Sequence, residues 1–149
     1  MKRTLLSAAL LAGAMSAAGA ASAADTRQLV EMPPQMQEHM LASMRDHLEV
    51  LNQILDDLSA ERYDAAAKRA EERLGMSSFG LHGAGHMAPY MPKGMQQAGS
   101  ELHRAASRFA LAAQEADIDR SYAKLRSLNG AVAEMTTACT ACHAGYRIR

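Results

Sequence analysis

Two cysteines three positions apart, followed at once by a histidine, stand near the C-terminal end as Cys139-Thr140-Ala141-Cys142-His143. This spacing is the attachment signature of c-type haem. Two thiols so placed can add across the two vinyl groups of a porphyrin, giving thioethers that survive unfolding. The adjacent imidazole is then held beside the iron as its proximal ligand. Other chemistries fit less well. A redox dithiol sits in a strand–helix context that the flanking sequence lacks. A structural zinc needs four ligands, and the chain has only two cysteines. A local disulfide between residues so close would be strained. One covalent haem c is therefore expected, on Cys139 and Cys142, with His143 on the iron.

The start of the chain agrees with this chemistry. Lys2 and Arg3 precede an apolar run from Leu5 to Met15, and small residues lead to Ala21-Ser22-Ala23-Ala24. That pattern predicts a secretory leader over 1–24 and a single domain over 25–149. The apolar run is shorter than the roughly 20 residues of a bilayer span, so no membrane span is expected after cleavage. The expected destination is the periplasm, the side of the membrane on which haem is joined to such motifs. Loss of the leader leaves 14 basic against 16 acidic residues. This balance argues against nucleic acid as a partner, because nucleic-acid-binding domains are strongly basic.

Four helices must position the motif. Pro33-Pro34 predicts a helix start, and Leu41, Met44, Leu48, Leu51, Leu55 and Leu58 form a seam spaced by three and four, giving a first helix over 34–59. Tyr63, Ala67, Ala70 and Leu74 make the stripe of a second helix, with Gly75 as its stop. A third begins near Pro92, with Met91, Met95, Ala98, Leu102, Ala105, Phe109, Ala112 and Ala116 in register. A fourth, over about 120–146, carries Leu125, Leu128, Val132, Met135, Cys139 and Cys142 on one stripe. The expected fold is all-α, an antiparallel up-down-up-down four-helix bundle. That topology brings Cys139-to-His143, the early first helix and the 75–94 connection to one end.

The ending Cys139-Thr140-Ala141-Cys142-His143-Ala144-Gly145-Tyr146-Arg147 resembles the CxxCHxxYR ending of the class II c-type cytochromes, the cytochrome c′ family. The resemblance extends to the exported four-helix plan of the whole mature region. It implies one of two arrangements at the iron. High-spin members leave the sixth position open behind an apolar wall, and low-spin members fill it with a methionine from the first helix. Met44 is the candidate ligand on this resemblance and on its seam position, and Met40 is its main rival. Met36, Met91, Met95 and His47 stay as lesser alternatives, and core packing is the plain alternative for any methionine. Arg147 is the candidate partner of a haem propionate, with Tyr146 and Lys93 beside it in the pocket. Arg149 is as readily a solvated tail charge. Members of the family often pair through their first two helices, so a homodimer is one expectation.

The connection over 75–94 is rich in glycine, histidine and methionine. His82, His86, Met87, Met91 and Met95 could cover a haem edge, or hold a soft metal such as copper. No acid–base pair or activated nucleophile is apparent, so no enzyme is expected. The leading expectation is an electron carrier serving periplasmic redox proteins. The alternative is a five-coordinate protein that binds nitric oxide or carbon monoxide.

Overall fold

The computed structural model describes residues 24–81 and 83–149. The expected leader lies, but for Ala24, outside the described residues, and so does His82. The chain is mostly helical. Helix α1 spans Pro34–Ser59 and α2 spans Tyr63–Arg73. A 3-10 turn at Met76–Ser78, the short α3 at Ala84–Met87 and a second 3-10 turn at Ala88–Tyr90 fill the glycine-rich connection. Helix α4 spans Lys93–Ile118 and α5 spans Tyr122–Gly145. No described helix is long and apolar enough to cross a membrane.

Local chemistry accounts for the boundaries. Pro34 starts α1 because a first-turn residue needs no amide donor. At its other end Glu61 takes the left-handed conformation, with φ of 57°, and the Arg62 amide donates to the Asp57 carbonyl at 2.8 Å. That reversal leads directly into α2. Helix α5 starts at Ser121, whose hydroxyl accepts from the Lys124 amide at 3.4 Å.

Helix α1 packs on α2, α2 on α4, and α4 on α5, whereas α1 and α5 share no comparable seam. Alanines at 66, 67, 70, 105, 106, 113 and 116 are buried where α2 and α4 meet their neighbours, so these backbones approach closely around Phe109 and Ile54. Fully burying a side chain of the latter size contributes about 1.5–3 kcal/mol. A second apolar cluster at the other end is built largely of thioethers. Met32, Met40, Met87 and Met95 are buried there with Val30, and Met36, Met44, Met91, Cys142, Tyr146 and Ile148 pack against them.

The register of α1 differs from the leucine seam. Leu48 and Leu55 are 67% and 45% exposed, while Met40, Val50, Ile54 and Asp57 are buried. The inward stripe is rotated from the leucines toward β-branched residues and one carboxylate. Two arginines satisfy that carboxylate: Arg62 at 2.8 Å and Arg69 at 2.9 Å. The stripes expected on α2 and α4 hold, with Tyr63, Ala67, Ala70, Leu74, Leu102, Ala105 and Phe109 all buried.

One element was not expected. Gln28–Leu29 (β1) and Tyr146–Arg147 (β2) pair as a parallel two-stranded sheet, Gln28 opposite Tyr146 and Leu29 opposite Arg147. The two ends of the described chain are thereby joined beside the last turn of α5.

Candidate functional site

Helix α5 runs unbroken through the cysteine–histidine motif to Gly145. Residues three and four apart share a helix face, so Cys139, Cys142 and His143 lie on one side of α5. The hydroxyls of Thr136, Thr137 and Thr140 donate back to carbonyls one turn earlier, which meets their hydrogen-bonding needs without a ligand. Cys139 likewise points its thiol at the Met135 carbonyl, 3.6 Å away.

Both cysteines are free and half-buried. Burial pushes both thiols up, and for Cys142 the neighbouring Cys139 adds to the effect. Thiols raised in this way stay protonated at neutral pH, unlike the activated thiolates of disulfide exchange. Neither thiol thus has the environment of a redox dithiol's activated cysteine.

Two cavities share Cys142 of the motif. The larger, of about 340 Å³, is walled by Met40, Met44, Met87, Met91, Met95 and Cys142, with His47, Phe79 and His103 among the other residues lining it. The smaller, of about 240 Å³, is lined by His143, Tyr146, Arg147 and Arg149 of the chain end, by Arg27, and again by Met40, Met44, Met95 and Cys142. The four shared side chains make the volumes neighbours. Sites for small molecules and cofactors are mostly apolar clefts of roughly 300–1,000 Å³ with a few placed polar groups, and this pair has that character. The residues lining the pair fit iron porphyrin in part: one thiol, Cys142, an imidazole, several thioethers, and guanidinium groups for carboxylates. Cys139, expected beside Cys142, lines neither cavity and packs against the alanine-rich core one turn earlier on α5.

Most residues expected at the site meet here. Met40 is buried and Met44 half-buried, and both line both cavities. His143 is exposed yet lines the smaller one. Arg147 is half-buried there, with its Nε 3.5 Å from the carboxylate of Asp25. Tyr146 directs its hydroxyl at Gly94, where a side chain on the glycine would collide with it. Met87, Met91 and Met95 line the larger cavity.

Other expected residues lie elsewhere. Lys93 lines a separate groove of about 1030 Å³ along α4 and α5, among Glu101, Arg104, Arg108 and Glu134, because it stands on the other side of α4 from Met95. His86 is exposed and lines neither cavity. Among the described residues, no three His, Cys, Asp or Glu side chains gather to hold a metal ion. His82 falls outside them.

Sequence reasoning missed His103 and Phe79. His103 is buried, with Nδ1 3.2 Å from the Gly75 carbonyl, and stacks edge to face with Phe79 at 5.0 Å and with His47 at 6.1 Å. The signal was present: Met95, Gly99 and His103 recur every four residues, and all three line the larger cavity. Comparisons with protein-family models, with curated proteins and with solved structures each return no match.

Proposed function

We propose that this chain is an exported, periplasmic c-type cytochrome of the cytochrome c′ kind, a four-helix bundle that carries electrons between redox proteins. The observation that carries the reading is the meeting of Cys142 and His143 with Met40 and Met44 around one apolar cavity. When bound, haem supplies a one-electron ferric/ferrous couple. The chain's residues have distinct parts in holding it. Cys139 and Cys142 would hold it covalently, as thioethers to its two vinyl groups. His143 would offer iron an imidazole nitrogen, and Met44, or its rival Met40, a thioether. A thioether favours ferrous iron and raises the potential. Ligands retained in both oxidation states would lower the reorganisation that each transfer needs. Arg147 and Tyr146 serve the propionates, with Arg27 and Arg149 also on that rim. The methionine walls make the lining of the larger cavity mostly apolar.

One observation favours a second reading. The larger cavity continues past Met44 to His47, Phe79 and His103, which leaves room for a diatomic gas if Met44 is wall rather than ligand. Absorption spectra of the ferric and ferrous protein, with and without carbon monoxide, separate the two. The carrier predicts low-spin iron that resists carbon monoxide. High-spin iron with ready binding would replace it by the gas-binding reading.

A further inference from the structure

The helices that bear the candidate iron ligands are held together by the chain ends rather than by a helix–helix seam. Met40 and Met44 stand on α1 and His143 on α5, and these two helices lack a broad packing contact. Hydrogen bonds between their ends run through the β1–β2 pair and the residues next to it, Val30 and Ile148. The Val30 amide donates to the Arg147 carbonyl at 2.8 Å. The Gln37 side chain donates through Nε2 to the Ile148 carbonyl, also at 2.8 Å and partly buried. Val30 is only 3% exposed, and Tyr146 and Ile148 pack into the same methionine cluster.

Position along the chain makes these links informative. Gln37 precedes Met40 by about one helical turn and Met44 by about two. His143 stands one turn before Tyr146, which begins β2. A slip of the chain end along α1 therefore changes the separation between the α1 thioethers and the imidazole of His143. A methionine–iron bond is neutral and weak, so it depends on being held in place beforehand.

We infer that the paired chain ends form a positioning clasp, with Gln37 as its side-chain latch, that holds an α1 methionine opposite His143. The inference rests on the haem reading above. Gln37 lines neither cavity; it acts through the register of α1.

The test uses the full exported protein with its haem in the ferric state, titrated with imidazole. Displacement of the thioether is followed by its far-red charge-transfer band. Gln37→Met keeps the length of the side chain and removes the donor. It is expected to keep haem content and helical circular dichroism, and to lower the half-displacing imidazole concentration about fivefold, the scale of one net hydrogen bond. Gln37→Lys restores a donor and is expected to recover most of that loss. An unchanged midpoint in Gln37→Met overturns the clasp. So does a fall that Gln37→Lys fails to recover, or a loss of helix in Gln37→Met, either of which assigns Gln37 to general packing. A wild-type protein with haem but no far-red band removes the thioether ligand and the clasp's role with it. A protein without covalent haem overturns the haem reading itself.

Discussion

Met44 of α1 and His143 of α5 line the same cavity, although their helices share no broad seam. The space between the helices is thus enclosed by side chains that carry donor atoms. Long, unbranched thioethers line that gap, and methionine adapts readily to an irregular cavity.

Replacement of each α1 methionine separates ligand from wall. Met44→Ala is expected to turn the haem protein high-spin and open it to carbon monoxide, while Met40→Ala stays low-spin. Met40 is the more buried of the two, and truncating a core methionine costs about 2–5 kcal/mol, so Met40→Ala should show the larger loss in thermal stability. A low-spin Met44→Ala protein would transfer the ligand role to Met40.

Asp57 gives a pH dependence of known sign. Burial alone would raise its carboxyl, but hydrogen bonds from Arg69 and Arg62 outweigh burial and hold it below its ordinary value of 3.8. A depressed folded value means that the stabilisation is complete above the unfolded value and is lost as pH falls through the folded one. Asp57→Asn is expected to cost about 1–3 kcal/mol at neutral pH. Its melting temperature should approach that of the wild type as pH drops below the folded value of Asp57. Parallel melting curves of the two proteins across that range would contradict the assignment.

Glu71 anchors the turn beneath the cavity. Burial pushes its carboxyl up, but donors on Ser107 and Ser77 outweigh this and hold it below the ordinary value. The Ser107 hydroxyl donates to Glu71 at 2.6 Å and accepts from the Met76 amide at 2.9 Å. Glu71→Ala is expected to cost about 1–3 kcal/mol and to speed hydrogen exchange at Met76 and Ser77, the turn that leads to Phe79. Unchanged exchange there would remove this role.

Parts of this architecture were legible in the sequence, for physical reasons. Pro34 fixed the start of α1, because a proline start is local chemistry. The face of α1 was not local. Leucine, valine and isoleucine are equally apolar in a periodicity argument, and the choice of Val50 and Ile54 over Leu48 and Leu55 was made by neighbours on α2 and α4. Asp57 reads as part of a solvated face because its compensating arginines stand beyond α1, at the start of the next helix and within it. The pairing of Gln28–Leu29 with Tyr146–Arg147 joins two-residue strands from opposite ends of the chain, too short for any strand pattern. The placement of Cys139, Cys142 and His143 on the last helix, by contrast, was legible because their spacing continues the helical stripe of Leu128 and Met135.

The most direct test is the intact mass of the protein exported by a host that matures c-type cytochromes, measured under denaturing conditions beside a Cys139→Ala/Cys142→Ala double variant. The account predicts a wild-type chain heavier by one haem, with one iron per chain, and a double variant without either. An unmodified wild-type chain with two titratable thiols would contradict it.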